Sequence, residues 1–272
     1  VVIVGRGRVG RSLAAALADG RVARRADVLG REPRGPAPGT LIFCVPDDAL
    51  EEAACAWADA LGPASEARAT EELPAARVAL HTSGVHAASA LEPLRGAGYA
   101  LAAWHPLTVV DRPDPEALLG VTWGLEGDES AMARAGSLSA DLDGRVLHVA
   151  PDEHARYHAA AVFASNLLVA CLSAAAAELS EAVEEEADVT DLLPLARAAL
   201  EAVGREGLRG GLTGPVARGD AGTVRRHLQA LDGRRRELYR ELARELVQLV
   251  SRDLPPGGLA ALESALDEEE RR

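Results

Sequence analysis

Short runs of apolar, often β-branched residues alternate with Ala- and Leu-rich stretches through the first half of the chain. The first such pair is Val1-Val2-Ile3-Val4 and Ser12 to Ala18. Apolar runs bounded by turn residues predict strands, and the longer stretches of good helix formers predict helices. Strands are expected at residues 1–4, 27–29, 40–45, 77–81 and 99–104, with two further ones at 121–125 and 145–149. Helical stretches at 48–61 and 87–96 fall between the later strands. This alternation implies an α/β fold with a parallel sheet covered on both faces. From Pro151 the strand signals vanish and helical patterns take over, at 152–180, 188–204 and 220–250. We therefore expect two domains, 1–150 and an all-helical 151–272. In the last helix Leu228, Leu231, Leu238, Leu242, Leu246 and Leu249 form an apolar stripe that requires a packing partner. The acidic run 181–186 reads as solvated, and the tail 267–272 as frayed.

No run of about 18 apolar residues free of charge stands out, and the chain opens on an apolar strand without a basic leader. The expectation is a soluble, cytoplasmic protein whose initiator region is trimmed or missing. Cys44, Cys55 and Cys171 fit neither a metal-ligand spacing nor a disulfide framework, so they are expected to be reduced, buried and inert, with no metal site. The net charge of −13 disfavours nucleic acid and anionic membrane as partners. Its distribution is uneven, because the segment up to Arg34 carries +5 and the remainder −18. All 29 basic residues are arginine, which excludes lysine as a proton donor or Schiff base.

The positive segment contains Gly5-Arg6-Gly7-Arg8-Val9-Gly10, placed after a strand and before a helix, as a dinucleotide-binding loop requires. Gly5 permits the tight turn, Gly7 lets backbone approach a pyrophosphate, and Gly10 lets helix and strand pack closely. The helix start at Arg8 and Val9 then offers N–H groups to phosphate. At the end of the second strand, Gly30-Arg31-Glu32 sets an arginine suited to a 2′-phosphate beside an acid suited to a ribose hydroxyl. Arg31 favours NADP, with NAD the alternative. Val45-Pro46 at the third strand's end is expected beside the nicotinamide ribose, and Asp47 or Asp48 as a cap for the next helix.

Ligands of open parallel sheets bind at the carboxyl ends of the strands, which singles out His81-Thr82-Ser83-Gly84 and Trp104-His105-Pro106-Leu107-Thr108. Both are expected to open into one cleft. In the helical half, His154, His158, Val162 and Ser165/Asn166 share a helical stripe, and Thr213 to Asp220 adds Arg218, suited to a carboxylate, and Asp220, a natural N-cap.

These motifs resemble the bacterial family that joins a Rossmann-like domain to a C-terminal domain of unknown function (number 2520). The resemblance is carried by the glycine loop, His81–Gly84, His105–Leu107, Tyr157–Asn166 and Leu212–Asp220. That family is in turn similar to the 6-phosphogluconate, β-hydroxyacid and prephenate dehydrogenases, ketopantoate reductase and pyrroline-5-carboxylate reductase. The resemblance implies a cleft between the domains and a homodimer formed through the helices. In much of the wider group a lysine opens the first helix of the second domain and donates a proton, whereas the position three before Tyr157 is His154 here.

The expected function is an NADP-dependent oxidoreductase acting on a small carboxylate-bearing ketone or imine, with ketopantoate as leading substrate on family analogy alone. His105, His158 or His154 would supply the proton, Ser83 and Asn166 would orient the reacting oxygen, and Arg218, Thr213 and Ser165 would bind the substrate. The alternative is a dinucleotide-binding sensor or regulatory module without turnover.

Overall fold

The computed structural model describes residues 1–18, 26–30, 32–34, 37–64, 77–255 and 257–268. The chain divides into two compact units, Val1–Asn166 and Leu167–Arg272. Helical structure takes over at Pro151, as expected, but the first unit extends to Asn166.

The first unit is built on a seven-stranded sheet: β1 (Val2–Val4), β2 (Asp27–Leu29), β3 (Thr40–Phe43), β4 (Val78–His81), β5 (Ala100–Pro106), β6 (Thr122–Gly127) and β7 (Arg145–His148). Their spatial order is β2-β1-β3-β4-β5-β6-β7. All neighbouring pairs are parallel except β5 with β6, which run antiparallel with His105 opposite Gly124. The parallel sheet expected from the sequence is thus present, with one antiparallel pair in it. β3 and β4 are buried at every position, as strands covered on both faces must be.

Alternation along the strands divides the core in two. Ile3, Ile42, Leu80 and Trp104 pack on one face with Leu13 and Leu17 of α1 (Arg8–Ala18) and Leu138 of α3 (Glu129–Asp141). Val4, Leu41, Phe43, Ala79 and Leu101 pack on the other with Leu50 and Trp57 of α2 (Leu50–Leu61) and Leu91 of the 3-10 segment Ala88–Ala97. Trp104 and Trp123 stack at 4.1 Å across the antiparallel pair, and the Trp104 indole N–H donates to Ser139 Oγ at 2.9 Å. Asp47 and Asp48 form a 3-10 turn, and neither caps the helix that follows through its side chain.

The helical stretch expected at 152–180 is two helices, α4 (His154–Ala164) and α5 (Asn166–Ala182), broken at Ser165. Ser165 Oγ donates to the Ala161 carbonyl at 2.7 Å, a back-bond that bends helices. Taken together, Pro151–Ala182 has a mean hydropathy of 1.9 over its most apolar window, none of it buried, so by length and composition it is able to cross a membrane. The expectation that no such run exists is corrected there.

In the second unit α6 (Val189–Gly211) follows, capped by Asp188, which accepts from Thr190 N–H at 2.7 Å. The single long helix expected at 220–250 is likewise two, α7 (Ala221–Ala230) and α8 (Gly233–Val250), separated at Asp232-Gly233 where Gly233 has a positive φ. The leucine stripe divides with it: Leu228 is buried, while Leu238 and Leu242 are exposed. Val224, Leu228, Val247 and Val250 pack with Leu262 and Leu266 of α9 (Gly258–Asp267) to form this unit's core. Neither α5 nor α6 has a buried residue. Asp220 caps α7 as expected, accepting from Thr223 N–H at 3.0 Å.

The three cysteines are free. Cys44 is buried and its thiol is pushed up to about 12 by burial, whereas Cys55 is exposed and Cys171 half-buried, which corrects the expectation that all three are buried.

Candidate functional site

The strand order reverses direction between β1 and β3, and at this switch point the glycine loop leaves the carboxyl end of β1. Gly5 takes φ +122°, and a Cβ there would fall on the Cys44 carbonyl oxygen. A Cβ on Gly10 would fall on the Gly5 carbonyl, so both glycines are required by close approach. Gly7 differs: an added Cβ would meet nothing within 4 Å, and Arg6, Gly7 and Arg8 are exposed. α1 starts at Arg8, leaving the N–H groups of Arg8, Val9 and Gly10 without intrahelical acceptors. An open glycine, free helix-start donors and exposed arginines fit the pyrophosphate of a dinucleotide.

Sequence reasoning missed a brace beside this loop. Ser12 Oγ donates to the Arg8 carbonyl at 2.9 Å and accepts from Asp114 N–H at 2.8 Å, while Arg8 donates to the Asp111 carbonyl at 3.3 Å. Val45 is half-buried and Pro46 exposed after β3. Arg31 lies outside the described residues.

Two strands along, His81 ends β4 with no exposure. Its Nε2 lies 3.0 Å from the Ala87 carbonyl, which only accepts, so Nε2 carries the proton and Nδ1 is left without a partner. Burial lowers its pKa to about 4, against the Ala87 carbonyl, which raises it. His81 thus faces the interior and does not open into a cleft. Ser83 is buried as well, its Oγ accepting from His86 N–H at 3.3 Å, a turn-fixing role.

His105 lies inside β5, which runs on to Pro106. Its Nδ1 is 2.9 Å from Tyr157 Oη, with the rings nearly perpendicular, and its ring centroid is 6.0 Å from that of His158. Burial, aided by nearby His158, lowers its pKa to about 4, and burial pushes the Tyr157 phenol up to about 12. Two glycines make room for this cluster. A Cβ on Gly124 would strike the Tyr157 hydroxyl, and one on Gly84 would come within 3 Å of both His158 and His105.

His154, one turn before Tyr157 and His158, is buried, its ring edge-on to that of Tyr157 at 6.5 Å. Its Nε2 is 3.3 Å from the Glu126 carboxylate, whose same oxygen accepts from Ala88 N–H at 2.8 Å. Glu126 was not singled out from the sequence, and Tyr157 was named there only within its motif, without a role. Their roles follow from the β5–β6 pairing, and the one signal available was Tyr157's position three residues after His154.

Beside the cluster lies a half-open cavity of about 660 Å³ lined by His105, Tyr157, His158, Ser165 and Asn166 together with Leu107, Val109, Leu147 and Val162. The histidine-bearing ends of β5 and α4, expected as separate clusters, meet here. His154, Ser83 and His81 do not line it. Arg218 and Thr213 belong to the second unit, and both are exposed. Among the described residues, no group of three or more His, Cys, Asp or Glu is arranged to hold a metal ion.

A parallel-sheet switch point with a glycine loop, followed by an all-helical unit, defines the class: a Rossmann-like domain joined to a helical domain. Residues 121–246 match the family model described as Domain of unknown function (DUF2520), so the resemblance drawn from the motifs holds in sequence over that segment. No curated protein matches the chain. Among solved structures it is similar to protein TM1727 from Thermotoga maritima, at 21% identity and TM-score 0.70, covering 93% of this chain and 98% of that one. It is also similar to an imine reductase from Streptomyces aurantiacus, at 16% identity and TM-score 0.57, covering 100% and 99%. A third is a reductive aminase from Aspergillus terreus in complex with NADPH and ethyl-5-oxohexanoate, at 16% identity and TM-score 0.51, covering 99% and 93%. At these identities the likeness is one of fold.

Proposed function

We propose that the chain is an NADP(H)-dependent oxidoreductase that reduces a small ketone or imine. One observation carries this reading: the dinucleotide-type loop ends β1 and the His105–Tyr157 pair sits at the end of β5, on the same carboxyl edge of one parallel set of strands. The Aspergillus terreus and Streptomyces aurantiacus proteins, described as a reductive aminase with NADPH and an imine reductase, support it by fold. In this reading the N–H groups at Gly7, Arg8 and Val9 hold the pyrophosphate, with Val45-Pro46 beside the ribose and Arg31 at the 2′-phosphate. The bound cofactor supplies a hydride. His105 and Tyr157 hold the proton that the reduced oxygen or nitrogen needs, in place of the lysine that this chain lacks. His158 and Asn166 orient the reacting group, and His154 fixes α4. A substrate carboxylate, as in ketopantoate, depends on Arg218 of the second unit.

A homodimer is part of the proposal. α5 and α6 leave Val169, Leu195 and Leu200 exposed, at 65%, 71% and 57%, and a second copy of the helical unit would cover such faces. Light scattering during size-exclusion chromatography gives the mass.

The test is a fluorescence titration with NADPH and NADH, followed by NADPH oxidation over small ketones, imines and 2-keto acids including ketopantoate. Tight NADPH binding with turnover on one carbonyl class supports the reading. Binding without any turnover favours a sensor, and no nucleotide binding overturns both. Arg31→Ala should weaken NADPH far more than NADH, and equal loss removes Arg31 from the 2′-phosphate.

A further inference from the structure

The cavity beside His105 is polar at one end and apolar along its wall. Leu107, Val109, Leu147 and Val162 form the wall, and Val109 and Leu147 remain 66% and 42% exposed although they border a cavity large enough for a small organic molecule. Among the described residues, none of those lining it is arginine, aspartate or glutamate, and the chain holds no lysine. Its polar groups are His105 paired to Tyr157, His158, Thr108, the Ser165 hydroxyl committed to the Ala161 carbonyl, and Asn166, none of them a fixed charge. Burial keeps His105 neutral near pH 7, since its pKa falls to about 4. A carboxylate placed here would lose water without gaining a fixed counter-charge, whereas an apolar substituent would cover surface that is now wet.

We infer that this cavity takes the apolar substituent of an uncharged ketone or imine, and that neutral carbonyl compounds are preferred over 2-keto acids. The inference rests on the reductase reading above and replaces its carboxylate-bearing substrate. The carbonyl or imine carbon gains a hydride from the reduced nicotinamide, and a C–H bond forms. The π pair moves to oxygen or nitrogen, which takes a proton from the His105–Tyr157 pair, and the nicotinamide is left oxidised. A solvent proton then restores the pair.

The experiment uses a matched pair of ligands. Benzylacetone is a neutral ketone, and benzylpyruvate is the same skeleton with a carboxylate in place of the methyl group. NADPH binding to the full chain is established first by fluorescence. Each ligand is then titrated calorimetrically into the chain saturated with NADP⁺, where no turnover occurs, and kcat/KM is measured with NADPH. Benzylacetone is expected to bind roughly tenfold or more tightly. Val109→Arg, at an exposed position, should reverse the preference by bringing a guanidinium into the cavity. If nucleotide binds and benzylpyruvate binds the native chain equally or more tightly, the inference falls while the reductase reading stands. If nucleotide binds and neither ligand does, the inference also falls. If no nucleotide binds, both fall.

Discussion

The hydroxyl of Tyr157, from α4, meets Nδ1 of His105, from β5, at 2.9 Å, with the two rings nearly perpendicular. Since the phenol is pushed up to about 12 and His105 down to about 4, both by burial, the pair at neutral pH is a protonated tyrosine and a neutral imidazole. In the tautomer with the imidazole proton on Nε2, Tyr157 donates to Nδ1; in the other, Nδ1–H donates to the phenol oxygen and the hydroxyl faces the His105 carbonyl at 3.5 Å. In the reductase reading this pair stands where the proton donor is needed, in a chain that has no lysine.

Tyr157→Phe removes the hydroxyl and keeps the ring. General acid catalysis typically contributes a factor of about 10² to 10⁴, so turnover should fall by roughly 10² or more while NADPH binding is unchanged. Stability should change by only about 1 kcal/mol, the net worth of one hydrogen bond. Parallel kinetics and NADPH titration check this, and unchanged turnover would remove Tyr157 from the chemistry.

The same burial makes stability depend on acid. His81 and His105 have folded-state pKa values lowered to about 4, below the ordinary histidine value of 6.5, so the unfolded chain binds more protons between those limits. Their contribution is fully present above about pH 6.5 and is lost as pH falls toward 4, on the order of 2 kcal/mol each. Urea midpoints across that window should drop with acid. His81→Gln should flatten the slope, because of the two histidines only His105 then contributes to it.

How far the sequence reaches is clear from particular elements. All seven strands are legible as apolar runs, most plainly β3 and β4, because strands covered on both faces must be apolar. Strand direction is not, since β6 returns antiparallel through a connection whose course no local pattern encodes. The break at Ser165 is hidden in an Ala-rich run without glycine or proline, and only the back-bond to Ala161 reveals it. The break at Asp232-Gly233 carried a readable signal, a glycine that takes a positive φ. Within the site, the glycine loop and His105 were visible, but Glu126 reads as one acid among many until Ala88 and His154 are brought to it.

Glu126 should therefore behave as a structural anchor for α4. Its carboxylate, 14% exposed, holds Ala88 N–H and His154 together. Glu126→Ala leaves a buried N–H and an imidazole unpaired and should cost about 2–4 kcal/mol in denaturant unfolding. Glu126→Gln keeps an acceptor for each and should cost clearly less. Equal losses in the two variants would mean that the carboxylate's charge, rather than its hydrogen bonds, secures the helix.

The glycine loop separates structure from binding within one motif. Gly10→Ala drives a Cβ into the Gly5 carbonyl, a backbone atom that cannot swing aside, so the loop or α1 must shift and a loss of about 2 kcal/mol or more is expected. Gly7→Ala meets nothing within 4 Å, so the apo protein should unfold at nearly the native temperature. If backbone at Gly7 is where a pyrophosphate approaches, the added methyl occupies that space, and NADPH affinity should fall roughly tenfold or more, equivalent to about 1.4 kcal/mol. Thermal melts of both variants with and without NADPH distinguish the two effects. Native affinity in Gly7→Ala would mean that the dinucleotide, if bound, lies elsewhere along the carboxyl edge.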